Sequence, residues 1–203
     1  MIVPEHNLIV IPREDDATFG VLQSRIHTQW AHNAGGRLGF GNHPRYNSTR
    51  YFDPFPFPQL LISAVTVGAS HSTLASPLRL PHNFPQLPKS RQTIVRAITE
   101  AAYELNRLRE TWLNPPEWVD VAPEIGPGYP DRIAPKLEYA KAIKERTLTN
   151  LYNQHPAWLA HAHETLDAAV ARAYGWDDYT PLMPDEEILA RLLKLNRERS
   201  GSA

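Results

Sequence analysis

The feature that most constrains the fold is a set of apolar residues that recur every three or four positions in the second half of the chain. The strongest example starts at Ser90, a residue type that caps helix N-termini, and stops at Asn114 and Pro115. This pattern predicts an amphipathic helix with a single apolar stripe. The stripe consists of Ile94, Ile98, Ala101, Leu105, Leu108 and Trp112.

Three further helices are predicted after this one. The first spans about residues 132–152 and the second about residues 157–174, with Gly175 as the C′ residue. The third follows Pro184, where three acidic residues place negative charge at the positive end of a helix dipole. Four apolar stripes need one another for burial, so residues 90–203 are predicted to form a small bundle of about four helices.

The N-terminal part of the chain has a mixed pattern. Residues 7–11 and 50–52 each predict a short strand. Between them, residues 15–34 predict one amphipathic helix that starts at an aspartate cap. Glycine, asparagine and proline then predict a loop over residues 37–47. The apolar stripe of the helix consists of Phe19, Leu22, Ile26 and Trp30.

These patterns together predict an α+β fold that is mostly helical, with a short strand–helix–loop–strand unit followed by the helical bundle. Residues 63–88 are rich in serine, proline and small side chains without any period, which predicts a linker or loose loop. The predicted domains are therefore residues 1–60, a linker at 61–89, and a helical domain at 90–203.

Composition excludes several classes of protein. With 42% apolar and 21% charged residues, the 203-residue chain has the balance of a globular protein. Without cysteine it has neither disulfides nor thiolate metal ligands. No apolar run approaches the roughly 18 residues that a membrane span requires, so we expect a soluble cytoplasmic protein with no membrane partner.

Charge alone does not indicate a nucleic-acid partner. The 21 basic and 22 acidic residues give a formal net charge of −1. Residues 13–50 nevertheless contain five arginines and no lysine, and arginine is the side chain whose planar fork fits both guanine acceptors. From the residues alone, ordinary solvated surface is the more frequent explanation of such a group.

Three motifs that suggest enzyme chemistry have simpler explanations. Asn114-Pro115-Pro116 lacks the aromatic residue that stacks on an extruded adenine, because Glu117 follows it, and it stops a helix. Asp131, Glu138 and Lys141 lack the spacing of a nuclease metal site. His161 and His163 point about 200° apart on a helix and are unsuited to share an ion. No catalytic, cofactor or metal residues are therefore assigned.

Three segments resemble one known family in order and spacing. They are residues 8–58, which end in Phe55-Pro56-Phe57-Pro58, residues 107–116, and residues 147–176 with the motif Ala173-Tyr174-Gly175-Trp176. The family is the MmeI-like, class I S-adenosylmethionine-dependent DNA methyltransferases. The resemblance implies that residues 1–60 end a target-recognition domain and that the remainder is the C-terminal helical domain. The methyl-transfer domain is expected upstream.

The resemblance also implies a double-stranded DNA partner. Residues near the Phe-Pro-aromatic-Pro signature are expected to read base edges, for which arginine suits guanine and asparagine suits adenine. Other polar residues are expected to contact phosphates, which set register. The expected base-reading group is Gly39, Asn42, Arg45 and Tyr46, and the expected phosphate group is Arg25, His27 and Arg50. Arg37 is expected to contact DNA from the same loop.

The implied function is the DNA-recognition and C-terminal structural part of a site-specific DNA (adenine-N6) methyltransferase of a restriction-modification system. S-adenosylmethionine is then the cofactor of the full-length enzyme, with none expected in this chain, which we expect to be inactive alone. A catalytic domain or subunit is an expected protein partner. The alternative is a non-catalytic helical interaction module that does not bind DNA, which the near-neutral charge favours.

Overall fold

The computed structural model describes residues 11, 13–34, 49, 52–62, 77–123 and 131–201, together with the backbone of residues 37–38 and 43–44. This part of the chain is mostly helical α+β, as predicted. Its α-helices are α1 (Asp16–Gln23), α2 (Arg25–Ala34), α3 (Gln59–Ile62), α4 (Lys89–Leu113), α5 (Leu148–Gln154), α6 (Ala157–Ala173) and α7 (Asp185–Ser200).

The predicted single helix over residues 15–34 is wrong, because the chain breaks at Ser24 into α1 and α2. Ser24 has an extended backbone (φ −72°, ψ 154°). Its hydroxyl donates to the carbonyl of Val21 (2.7 Å) and accepts from the backbone N–H of His27 (3.3 Å). One serine thus ends α1 and caps α2. The predicted cap at the start is confirmed, since the Asp15 carboxylate accepts from the N–H of Thr18 (2.7 Å).

The region predicted as an irregular loop contains a short antiparallel pair. Strand β1 (Arg37–Leu38) pairs with β2 (His43–Pro44), with Arg37 opposite Pro44. The strand predicted at 7–11 lies outside the described residues except for Ile11, which is not in a strand. Of the strand predicted at 50–52, only Phe52 is described, and its carbonyl accepts from the N–H of Phe55 in a turn (3.1 Å).

The second half of the predicted linker is ordered rather than loose. A 3₁₀ helix at Phe84–Gln86 buries Phe84, and Leu87 beyond it is also buried. Arg79 and Asp16 exchange two hydrogen bonds of 2.8 Å, so this segment is fixed against the start of α1. Proline-rich sequence lacks helical period, but it still folds where its few apolar side chains find a core. Residues 63–76 lie outside the described part.

The long helix α4 confirms the first sequence prediction. The predicted cap at Ser90 is wrong, because the helix begins at Lys89 and the carbonyl of Pro88 accepts from the N–H of Gln92 (2.9 Å). The end is as predicted, since α4 stops at Leu113 and the N–H of Asn114 donates to the carbonyl of Glu110 (2.8 Å). The buried face of α4 differs slightly from the predicted stripe, because Leu108 and Trp112 are only half-buried. Its buried members are Val95, Ile98, Thr99, Ala101, Ala102, Leu105 and Arg109.

Residues 115–147 differ most from the prediction. The expected loop at 115–130 contains strand β3 (Val119–Ala122), and the helix expected over 132–152 begins as strand β4 (Arg132–Pro135). The two strands form an antiparallel hairpin, with Val121 opposite Ile133. Two 3₁₀ turns, Leu137–Tyr139 and Ile143–Glu145, then lead to α5.

The last two predicted helices are confirmed with their caps. After α6, Gly175 has φ +74° and donates to the carbonyl of Arg172 (3.0 Å), while Trp176 donates to the carbonyl of Ala171 (3.0 Å). These two bonds form a Schellman motif, which requires the left-handed backbone that glycine adopts readily. Helix α7 follows Pro184, buries Ile188 and Leu192, and has acidic residues in its first turn.

The contacts divide the chain into two compact units. The first unit comprises Met1–Tyr103 and Glu164–Ala203, and the second comprises Glu104–His163. Helix α2 packs against α1 and α7 in the first unit. The functional division at residues 60 and 89 stays a prediction. The fully buried apolar residues larger than alanine are, in the first unit, Val21, Ile26, Leu61, Val95, Ile98, Leu166, Val170, Ile188 and Leu192, and, in the second, Leu105, Leu151 and Leu159.

Candidate nucleic-acid interface

The eight residues predicted to contact DNA lie in or beside the segment between α2 and Phe52. The side chains of Arg25 and His27, on α2, are described in full. For Arg37 the backbone alone is described, as part of β1. The five others lie outside the described residues, and their DNA contacts stay predictions. They are Gly39, Asn42, Arg45, Tyr46 and Arg50.

An aromatic cluster fixes the residues that follow this segment. We call residues 52–58 the stem. Phe55 is 5% exposed, and its ring meets those of His27 and Trp30 edge to face, with centroids 4.7 and 6.1 Å apart. Phe57 meets Phe55 in the same way at 4.9 Å. Such pairs add to the burial of the rings, so the stem is attached to α2, the helix that precedes the predicted recognition segment.

Helix α7 holds the other side of the stem through hydrogen bonds. The Asn196 side-chain amide donates to the carbonyl of Pro54 (2.5 Å), and the Arg199 guanidinium donates to the carbonyl of Phe57 (2.6 Å). Prolines at 54, 56 and 58 have no N–H and cannot form a regular strand ladder. Side chains therefore satisfy carbonyls that a regular strand would have satisfied with backbone donors.

Arg25 is engaged within the chain. Its Nε donates to the Asp185 carboxylate (3.1 Å), and Nη2 of Arg25 also forms an ion pair with this carboxylate. Nη1 donates to the carbonyl of Pro181 (3.0 Å) and Nη2 to that of Met183 (2.7 Å). Arg25 thus joins the start of α2 to the start of α7. These contacts explain the residue by packing, while the phosphate contact expected of it stays a prediction.

His27 is buried rather than exposed. It is 5% exposed, and Nδ1 of its ring lies 3.1 Å from the carbonyl of Leu22. Burial lowers the pKa of His27 to about 4, so the ring is neutral at neutral pH. A buried, neutral imidazole does not attract a phosphate by charge. The contacts give His27 a packing role beneath the stem, and its predicted DNA contact is not tested by them.

Asp167 is a structural residue that the sequence did not single out. It is 6% exposed, and its carboxylate accepts from the backbone N–H of Arg25 (2.7 Å), the first residue of α2. A carboxylate at this position satisfies an orphan donor and interacts favourably with the helix dipole. Burial nevertheless raises the pKa of Asp167 to about 6. Residues 147–176, one of the three segments that resemble the family, contain Asp167, and this was the available signal.

The second unit contains a separate polar group on α4, α5 and α6. The Arg109 guanidinium donates to the Tyr152 hydroxyl (3.1 Å), and this hydroxyl lies 2.8 Å from Nε2 of His163. Burial lowers the pKa of His163 to about 4, and the positive charge of Arg109 lowers it further. The three side chains form a hydrogen-bonded chain that links helices within this unit.

The structure accounts for the enzyme-like motifs of the sequence. Asn114 ends α4, and a turn follows in which Trp118 donates to the carbonyl of Pro115 (2.8 Å). His163 pairs with Tyr152. Within residues 11, 13–34, 49, 52–62, 77–123 and 131–201, no three His, Asp or Glu residues form a group that could hold a metal ion. None of the described helices is both long and apolar enough to span a bilayer.

The described fold is similar to that of a region of a restriction-modification enzyme. The solved structure in question is the Type IIL restriction-modification enzyme MmeI in complex with DNA, with a TM-score of 0.53 and 20% sequence identity. The match covers 93% of this chain and 17% of the MmeI chain. No protein-family model and no curated protein matches the chain. At this identity the similarity shows the fold alone.

Proposed function

We propose that this chain is the DNA-recognition and C-terminal structural part of a site-specific DNA (adenine-N6) methyltransferase of a restriction-modification system. The observation that carries the proposal is the fold similarity to DNA-bound MmeI over 93% of the chain. The sequence resemblance to the same family supports it independently, because it rests on motif order and spacing. The attachment of the stem to α2 and α7 also supports it, since a recognition segment needs fixed ends.

In this proposal the DNA contacts come from the segment between α2 and the stem. Arg37, Asn42 and Arg45 read base edges in the major groove, and Arg50 contacts a phosphate. Gly39 and Tyr46 belong to the same contact surface. Methyl transfer and S-adenosylmethionine binding are assigned to a catalytic domain or subunit outside the 203 residues.

Removal of the segment's arginines should weaken DNA binding. We expect the triple variant Arg37→Ala, Arg45→Ala and Arg50→Ala to bind a fluorescent mixed-sequence duplex at least about tenfold more weakly at low salt. The plot of log affinity against log salt should also become shallower, by about 0.9 for each phosphate that the variant no longer neutralises. Fluorescence anisotropy at several salt concentrations measures both quantities.

A charge-matched variant separates local contacts from general attraction. Arg91, Arg132 and Arg172 are exposed on other elements, and replacing all three by alanine removes the same charge. This variant should keep the wild-type affinity within about twofold. Equal weakening by both triple variants would mean that the segment has no special role. Absence of wild-type DNA binding at low salt would refute the proposed function.

The hairpin β3–β4 favours a second function, a helical interaction module that binds protein rather than DNA. Val119, Val121, Ile133 and Pro135 share one face of the hairpin by its register. Val119 is buried, whereas Val121 is 59% and Ile133 47% exposed. An apolar association through this face would persist as salt rises, whereas phosphate-mediated DNA binding would weaken steeply. Titrations at two salt concentrations therefore separate the two functions.

A further inference from the structure

Two side chains of α7 attach the stem, and both are remote from it in sequence. Asn196 and Arg199 lie three positions apart, which places them on the same side of the helix. Their donors reach the carbonyls of Pro54 and Phe57, at opposite ends of the proline-rich part of the stem. Both pairs are 142 positions apart in the chain and belong to the same compact unit.

The aromatic cluster alone does not fix the position of the stem along α7. Ring packing restrains Phe55 against His27 and Trp30, and Phe57 against Phe55, but it holds only these rings and not the carbonyls of the stem. Hydrogen bonds to two carbonyls have a direction and a length, so they fix the position of the stem along α7. Leu61 then continues from the stem into α3, where its N–H donates to the carbonyl of Pro58 (2.9 Å).

We propose that Asn196 and Arg199 are positioning residues for DNA recognition, acting through the stem without touching DNA. The inference rests on the proposed function and adds the residues that control its specificity. Base-edge hydrogen bonds tolerate only small displacements of the reading side chain, whereas attraction to phosphates acts over longer distances. Loss of an attachment at the stem should therefore reduce discrimination between sequences more than it reduces general DNA affinity.

Asn196→Ala is the sharpest test, because it removes a hydrogen bond and no charge. A preferred duplex is first selected with the wild-type chain from a random pool, and a scrambled duplex of equal length serves for comparison. The variant should lose about fivefold affinity for the preferred duplex, the size expected when a displaced stem weakens one base-edge hydrogen bond, with under about twofold change for the scrambled duplex. The slope of log affinity against log salt concentration should be the same as in the wild type.

Hydrogen exchange gives a second readout that does not depend on DNA. The amides of Phe55, Phe57 and Leu61 all donate hydrogen bonds inside the segment 52–62. In Asn196→Ala these amides should exchange several times faster, while those in the middle of α4 should be unchanged. Arg197→Ala is the control for loss of a positive charge on the same helix, because Arg197 is exposed there. It should alter neither the exchange rates nor the discrimination.

Arg199→Gln provides an independent variant, because the shorter side chain lacks the guanidinium that reaches the carbonyl of Phe57. It should also reduce discrimination without making the salt slope shallower, whereas a direct phosphate contact at Arg199 would reduce the slope by about 0.9. Wild-type binding with unchanged discrimination in both Asn196→Ala and Arg199→Gln would overturn the inference and leave the proposed function intact. Failure of the wild-type chain to bind any duplex would overturn the proposed function and the inference with it.

Discussion

Gly20→Val should destabilise the protein by about 3 kcal/mol or more, because three helices meet at this glycine. A Cβ atom built on Gly20 would lie 2.9 Å from Cβ of Ala102, 2.9 Å from Cγ2 of Ile98 and 3.2 Å from Cδ1 of Leu166. Ile98 and Ala102 are on α4, Leu166 is on α6, and all three are buried. Valine adds two further methyl groups to a space too small for one, so the helices must separate.

Urea unfolding at 25 °C measures this change, and two alanine variants calibrate it. Gly20→Ala should cost about 1–3 kcal/mol, since the overpacking exceeds the gain of about 1 kcal/mol from better helix propensity. Gly201→Ala should change the stability by less than about 0.5 kcal/mol, because its Cβ would meet nothing closer than the Arg197 carbonyl at 3.4 Å. A Gly20→Val protein as stable as the wild type would contradict the packing described for α1.

Helices with both a long stripe and clear end signals could be predicted from the sequence. For α4, the apolar stripe and the Asn114-Pro115 stop located the helix and its end, although it starts at Lys89 and not after a Ser90 cap. For α6, Gly175 marked the end because the Schellman motif needs a left-handed residue. For α7, the acidic first turn after Pro184 marked the start. In these cases local chemistry and tertiary burial favour the same structure.

The errors arose where distant pairing decided the local structure. Residues 132–135 form a strand because they pair with residues 119–122, and no local pattern contains that register. Pro135 at the end of β4 was the available signal against a helix over 132–152, since proline disrupts a helix interior. The break at Ser24 was also missed, because the apolar stripe continues across it in sequence although the backbone is extended there.

The candidate site could be predicted only in part, for a related reason. The sequence indicated the proposed recognition segment from the Phe-Pro-aromatic-Pro signature beside it. It could not locate Asn196 or Arg199, because a polar residue on a helix looks the same whether it contacts solvent or a remote carbonyl. Nor could it show that Arg25 and His27 contact residues of their own chain, since that depends on how α2 packs.

Acidification from pH 7 to pH 5 should destabilise the fold by a net amount of about 1 kcal/mol through its buried titratable groups. The largest contribution comes from His27. Its pKa in the folded protein is about 4, against about 6.5 in the unfolded chain, because burial disfavours the charged ring. The unfolded chain therefore binds a proton at this histidine more readily than the folded protein does. The stability that this difference gives the fold is fully present above pH 6.5 and is lost as the pH falls from 6.5 toward 4. For His27 the loss between pH 7 and pH 5 is about 2 kcal/mol.

Two other groups modify this result in opposite directions. His163 has a similarly lowered pKa of about 4, but it is only half-buried, so solvent screening limits its contribution to less than about 1 kcal/mol. Asp167 has a pKa raised to about 6, so its carboxyl group favours the folded state more as the pH falls from 7. Between pH 7 and pH 5, protonation of Asp167 increases the free energy of unfolding by about 1 kcal/mol, which is smaller than the decrease caused by His27.

Urea unfolding at pH 7 and pH 5 should therefore show different pH dependences in three variants. In His27→Gln the free energy of unfolding should fall by about 2 kcal/mol less between pH 7 and pH 5 than it does in the wild type. Asp167→Asn should change it by about 1 kcal/mol toward greater acid sensitivity, because a neutral amide replaces the group that gains a proton. His161→Gln, at an exposed position, serves as the control and should leave the difference unaltered. A His27→Gln protein with the wild-type pH dependence would show that the ring beneath the stem is not held neutral by burial.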